Sequence, residues 1–353
     1  MIHAAGEGDV ERALSVDQLD LLDFAALLSR AAALRLEDLA RRARQISLLR
    51  WGRSVQLFAP LYVSNECTQV CTYCAFQRRS SIPRRTLAVD EVVAEARMLL
   101  ETGFRHILLV SGEHPKLVPL SYLETVVAAL HPEVPALSIE VAPQSLEGYE
   151  RLVHAGTEGL VVYQETYDRD VYARVHLSGR KANYDWRLAA PERGAAAGMR
   201  RVGLGALLGL ADWATDVLAL GVHARYLMRH WWRTFVTVSL PRLRYAKDAI
   251  AAPRPVSDAE MTQAICALRL FLPDTGIVLS TRESPRFRHG VIPLGVTHAS
   301  AGSRTEPGGY STPAPESEQF RIDDDRPAEL FAAALRGQGY DAVWKDWEAI
   351  LHG

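Results

Sequence analysis

Residues 57–74 read L-F-A-P-L-Y-V-S-N-E-C-T-Q-V-C-T-Y-C, and two features of this stretch decide how the rest of the chain is read. Residues 57–63 form a short, largely apolar run bounded by Ser64 and Asn65, the pattern of a strand buried on both faces. Cys67, Cys71 and Cys74 then sit on the segment that leaves this strand. A loop at a strand's C-terminal end therefore carries three thiols.

Outward from residue 74 the chain alternates short apolar runs with longer amphipathic segments, as βα units around a parallel sheet do. Strands are expected at 57–63, 106–110, 136–141, 159–163, 201–206, 235–239, 277–280 and 295–299. Among the intervening helices, 89–103 closes on Gly103, and 257–271 opens with S-D-A-E, an N-cap followed by an acidic first turn. Eight such units spread over roughly 250 residues predict an α/β fold of the (β/α)8 TIM-barrel type, with its chemistry at the C-terminal ends of the strands. Residues 1–52 place Leu19, Leu22, Phe24, Leu27, Leu28, Leu34, Leu36 and Leu39 at helical spacing among Arg and Glu. They predict a helical N-terminal extension, with the barrel over 53–301. Residues 302–353, rich in Gly, Pro, Ser and Asp before D-D-R-P-A-E-L-F-A-A-A-L-R, predict a loop and helix that close one barrel mouth.

Composition narrows the function. With 40 basic and 42 acidic residues the formal charge is -2, which gives no chain-wide attraction to nucleic acid or anionic lipid. The longest apolar stretch, 202–222, is broken by Asp212 and Asp216. Each would cost about 2.5–3.5 kcal/mol in hydrocarbon, so a strand followed by a helix is expected there and not a membrane span. The opening M-I-H-A-A-G-E-G-D-V-E-R lacks a basic start and an apolar run, which makes the cytoplasm the expected location. Four cysteines, three of them within eight residues, do not make a disulfide framework in a chain of 353. Cys266, in A-I-C-A-L-R-L-F, reads as a buried thiol.

The spacing C-x3-C-x2-C suits an iron-sulfur cluster, whose thiolate ligands come from closely spaced cysteines. Three ligands leave one iron of a four-iron cluster open to a small molecule, as catalytic metal sites keep a position open. Structural zinc wants four ligands, and no fourth Cys or His lies nearby in sequence. A zinc site or three unrelated thiols are the alternatives. His106, His176, His223 and His298 show no metal-ligand spacing and read as local hydrogen-bonding groups.

With Tyr73 before its last cysteine, this string resembles the cluster motif of the radical S-adenosylmethionine enzymes. The strings L-F-A-P-L-Y-V-S-N-E-C, H-I-L-L-V-S-G-E, Y-Q-E-T-Y, L-G-A-L-L-G-L, S-T-R-E, S-A-G-S and V-W-K-D-W narrow the resemblance, over nearly the whole chain, to the tyrosine lyases of thiamine biosynthesis. The resemblance implies a [4Fe-4S] cluster on Cys67, Cys71 and Cys74, and S-adenosylmethionine bound at the open iron and cleaved to methionine and a 5'-deoxyadenosyl radical. It implies cleavage of L-tyrosine between Cα and Cβ into 2-iminoacetate and p-cresol, with a reduced flavodoxin or ferredoxin-type electron donor and a thiazole synthase as partner. Tryptophan lyases and hydrogenase-maturation tyrosine lyases share the pattern, although the latter carry a C-terminal cysteine motif and this sequence has no cysteine after Cys266. A non-catalytic iron-sulfur scaffold is the alternative from a different class.

Carried onto this sequence, the resemblance places the cofactor's amino group at Ser111, Gly112 and Glu113, beside Tyr73. It places the ribose hydroxyls at Glu165, the cofactor carboxylate at Arg187, and the adenine along Gly203 and Gly205. Arg282 and Ser300 would bind the substrate carboxylate, while Tyr62 and Phe76 would shield the radical. Ala75 and Ser111 stand where glycines are usual in the family. From the residues alone, 111–113 could be a plain strand-end turn, Arg187 a solvated helix charge, the glycines a helix-packing feature, and Arg282 a salt-bridge partner of Glu283.

Overall fold

The computed structural model describes residues 1–344. Eight parallel strands close into a barrel: β1 (Ser54–Ser64), β2 (His106–Ser111), β3 (Ala136–Glu140), β4 (Gly159–Glu165), β5 (Arg201–Ala206), β6 (Phe235–Ser239), β7 (Gly276–Leu279) and β8 (His298–Ser300). Closure is made by β8 on β1, with Gln56 opposite His298 and Phe58 opposite Ser300. The strands read as apolar runs because both faces are covered: in β2, His106 to Val110 are all buried between barrel interior and outer helices.

The eighth strand begins later than its sequence suggests. Residues 293–297 continue the apolar run that predicts a strand from 295, but the helix Pro285–Gly295 extends through Pro293 and takes its first part. Two other elements follow their local signals closely. The helix Asp258–Phe271 is capped by Ser257, whose Oγ accepts from Glu260 N while Glu260 reaches back to Ser257 N at 2.8 Å. The helix Val89–Glu101 is followed by Gly103 at φ +100.

Residues before the barrel form the helices Glu7–Ser15, Leu21–Leu27, Arg30–Ala33 and Leu36–Trp51. They pack on the outer face, where Phe24 stacks on Phe271 with ring centroids 4.0 Å apart. After β8 the chain crosses the mouth. Glu95 accepts from Tyr310 N and Ser311 N at 2.9 and 2.8 Å, and the Tyr310 hydroxyl donates to Pro60 O. The helix Ala328–Gly337 and a short strand β9 (Asp341–Val343), parallel to the start of β1, follow. Fully buried Arg288 ties this segment down by pairing with Asp324, donating to Ser300 O and stacking on Phe331. Of V-W-K-D-W, the positions after Trp344 lie outside the described residues. No helix among the described residues is long and apolar enough to cross a membrane.

Candidate active site at the barrel mouth

One cavity occupies the C-terminal mouth, and it gathers Cys67, Cys71, Cys74, Tyr62, Tyr73, Phe76, Ser111, Gly112, Glu113, Glu165, Arg187, Arg282 and Ser300 from seven segments. The cysteine loop is held from below. Gly112 N donates to Ser64 O, and Thr68 N and Oγ1 both donate to Glu113 O. A side chain at Gly112 would collide with the Glu66 carbonyl oxygen, so glycine lets the cysteine loop lie against the end of β2. Residues Val70–Cys71 also form a small antiparallel ribbon with His176–Ser178.

The donor chemistry of the loop suits a cluster. Burial, followed by the nearby Glu113 carboxylate, pushes the Cys67 thiol up to about 11, and burial raises Cys71 and Cys74 as well. Such thiols stay protonated near neutral pH until a metal's charge draws the proton off. Among the described residues, no group of three or more His, Cys, Asp or Glu side chains is drawn together tightly enough for one metal ion. A four-iron cluster takes its three thiolates on three separate irons and not on one ion. Cys74 Sγ further accepts from Phe76 N at 3.4 Å and Gln319 Nε2 at 3.6 Å.

Beside the loop lies a buried charge network. Arg187, 6% exposed, is held by Tyr163 O at 2.6 Å and Glu113 Oε1 at 3.0 Å, with Glu165 3.9 Å away; it is not a solvated helix charge. Lys181 Nζ meets Glu165 Oε1 at 2.7 Å. Burial works against the Glu165 carboxylate, but Lys181 and Arg187 together hold it below the usual range. Glu165 also sits at φ +72, past an irregularity in the β4–β5 register between Tyr163 and Glu165 that turns its side chain into the mouth. Tyr73 is fixed differently: His176 Nδ1 donates to Tyr172 O at 2.9 Å, which leaves Nε2 to accept from the Tyr73 hydroxyl at 2.7 Å.

Arg282 makes no ion pair with Glu283. Glu283 is taken by Arg242 and Arg244, and the Arg282 guanidinium lies 3.3 Å from the centroid of the Phe320 ring. Burial pulls its pKa down, with the cost of charge only partly offset by the surrounding Tyr62, Tyr163 and glutamates. Ser300 Oγ accepts from Thr281 N at 3.1 Å, and its hydroxyl proton has no acceptor among the described residues. Tyr62 and Phe76 meet edge to face at 5.8 Å, and the Tyr62 hydroxyl donates to Gln319 Oε1.

Gly203 and Gly205 are placed elsewhere. The space beside Gly205 is filled by the Tyr163 ring, its register partner on β4, and Gly203 lines a smaller cavity deeper in the barrel with Thr237 and Val161 against it. These glycines make room for side chains, and neither is among the residues lining the mouth cavity. Sequence reasoning also missed Glu140, Tyr163, Lys181, Gln319 and Phe320, all of which line the mouth. Glu140 and Tyr163 lie on strands already read from the sequence, so inward alternation at a strand's end was an available signal.

Residues 61–213 match the Radical SAM superfamily model, and residues 239–341 match the Biotin and Thiamin Synthesis associated domain. The chain is 44% identical over 351 residues to the 2-iminoacetate synthase of Escherichia coli K12, covering 99% of this chain and 93% of that protein. It is 42% identical, with the same coverage, to the 2-iminoacetate synthase of Salmonella typhimurium LT2. Among solved structures, that of HydG, a maturase of the [FeFe]-hydrogenase, superimposes with a TM-score of 0.92 at 32% identity, covering 99% of this chain and 79% of that one.

Proposed function

The chain belongs to the 2-iminoacetate synthase family of radical S-adenosylmethionine enzymes, and from that premise we propose that it splits L-tyrosine between Cα and Cβ into 2-iminoacetate and p-cresol. The observation that carries this reading is a single cavity in which a three-cysteine loop and a half-buried arginine, free of carboxylate partners within ion-pair distance, face the same space. Cys67, Cys71 and Cys74 would hold a [4Fe-4S] cluster. When bound, the cluster and S-adenosylmethionine supply a one-electron cleavage to methionine and the 5'-deoxyadenosyl radical.

This chain's residues then bind, orient and exclude water. Glu113 offers a carboxylate to the cofactor's amino group, and Glu165 offers one to its ribose hydroxyls. Arg187, already fixed between Glu113 and Tyr163 O, presents its remaining edge to the cofactor carboxylate. Tyr73 packs its ring at the cluster. Arg282 anchors the tyrosine carboxylate and Ser300 donates its unused hydroxyl proton to it. Tyr62, Phe76 and Phe320 wall the space so that the radical meets substrate and not water. The imine would pass to a thiazole synthase for thiamine biosynthesis, and a flavodoxin- or ferredoxin-type protein would supply the electron.

The test is anaerobic turnover of reduced, cluster-loaded protein with each aromatic amino acid, followed by mass spectrometry of the fragments. L-Tyrosine should give p-cresol and 5'-deoxyadenosine in equal amounts, while L-tryptophan stays intact. Arg282→Ala should lower the p-cresol rate by about 100-fold, because the reacting nitrogen loses its placement. Intact tyrosine in the wild-type reaction would overturn the reading.

A further inference from the structure

Free tyrosine is a zwitterion, and in the cleavage proposed above the 5'-deoxyadenosyl radical takes its hydrogen atom from the substrate nitrogen. An ammonium nitrogen has no lone pair to stabilise an unpaired electron, so the amine has to shed a proton inside the site before the N–H bond is broken homolytically. A proton acceptor is required within the cavity. Glu113 and Glu165 are engaged, by Arg187 at 3.0 Å and Lys181 at 2.7 Å. Cavity-lining Glu140 differs from both, since among the described residues no side-chain hydrogen bond or ion pair engages its carboxyl.

Position matters as much as availability. Glu140 is the last residue of β3, and in an eight-stranded barrel β3 stands across from β7, after which Arg282 follows. Glu140 and Arg282 line the same cavity, so an amino acid whose carboxylate rests on Arg282 has its amino group in the space that Glu140 lines. Tyr62 on β1, Tyr163 and Glu165 on β4, Lys181 and Arg187 after β4, and Arg282 face the Glu140 carboxyl. Burial and Glu165 push that carboxyl up to about 7 against the opposing pull of the three cations. Burial also raises the phenols of Tyr62 and Tyr163, so neither serves as a base near neutral pH.

We propose that Glu140 is the base that takes the ammonium proton of bound L-tyrosine and leaves a neutral amine for hydrogen-atom abstraction. The N–H bond breaks with its electron pair kept on nitrogen, an O–H bond forms on Glu140, and a cation and an anion become two neutral groups. No outside reagent is consumed. The assignment rests on the tyrosine-lyase reading, so wild-type p-cresol production is established first; its absence would remove that reading before Glu140 is considered.

The experiment compares the pH dependence of kcat/KM for p-cresol formation in cluster-loaded wild type, Glu140→Gln and Glu140→Asp. Wild type should show an acid limb near pH 7. Glu140→Gln, which keeps the side-chain shape, should lose about 100-fold or more at pH 7.5. Its profile should lack that limb and climb steadily as the free amine deprotonates in solution. Glu140→Asp should recover both the limb and at least a tenth of the rate. Equal losses in the two variants with the limb retained, or Glu140→Gln within threefold of wild type, would overturn the proposal.

Discussion

Gly112 shows how a single missing side chain can decide whether a site exists. Its Cα lies under the Glu66 carbonyl, and its N–H donates to Ser64 O, so the first cysteine and the end of β2 are held in contact. Gly112→Ala must push that loop away or unpair the strand end. The expected outcome is a loss of about 1–3 kcal/mol of stability and a cluster content below that of wild type, read by denaturant melts and by iron and sulfide analysis of reconstituted protein. Unchanged values in both would show that the loop yields freely. Gly205 teaches the opposite lesson. The resemblance places an adenine along it, and in the fold the Tyr163 ring faces it across the β4–β5 ladder. A sequence lists glycines without their cross-strand partners, and the partner decides what fills the gap.

At the scale of elements, the barrel was legible because parallel strands buried on both faces leave apolar runs that no surface element imitates, as in H-I-L-L-V of β2. The Ser257 cap was legible for a local reason too, since its hydrogen bonds span three residues. What stayed hidden depends on distant closure. Gln319 and Phe320 reach the cavity only because residues after β8 fold back over the mouth, and Lys181 reaches Glu165 from a short turn without periodicity. The strap after β8 is fastened by Arg288, which pairs with Asp324, donates to Ser300 O at 2.6 Å and stacks under Phe331. Removing it leaves Asp324 buried beside Arg326 alone. Arg288→Ala should therefore cost about 3–5 kcal/mol of stability. Because Ser300 loses its anchor, KM for tyrosine should rise by a larger factor than kcat falls. A variant with wild-type melting would separate the strap from the barrel's stability.

For the whole molecule, pH reports on the barrel floor, where burial and the nearby Arg201 hold His106 well below its usual range and take His298 down to about 3. Both are buried; His106 Nε2 lies 3.0 Å from Ser138 Oγ, and His298 Nδ1 lies 2.8 Å from Thr297 Oγ1. In the unfolded chain each titrates near 6.5, so below that pH the unfolded state binds protons that the folded state refuses. Stability then falls as pH falls from about 6.5 towards the depressed folded values, by up to about 1.4 kcal/mol per pH unit for each histidine. Two carboxyls, one buried and one half-buried, work in the other direction. Glu140, raised to about 7, and Asp216, raised to about 6, take up protons in the fold before they do so in the unfolded chain, and acidification favours the native state through them. Total stability mixes these opposing slopes, together with whatever a bound cluster adds, so the histidine contribution has to be read as a difference. Urea melts of wild type and of the His106→Gln, His298→Gln double variant at pH 7.5, 6.5 and 5.5 provide it. Between pH 7.5 and 5.5, wild type should lose about 2–3 kcal/mol relative to the variant, most of it below 6.5. A gap that stays constant across the range would mean that the floor of the barrel accepts protons as readily as water does.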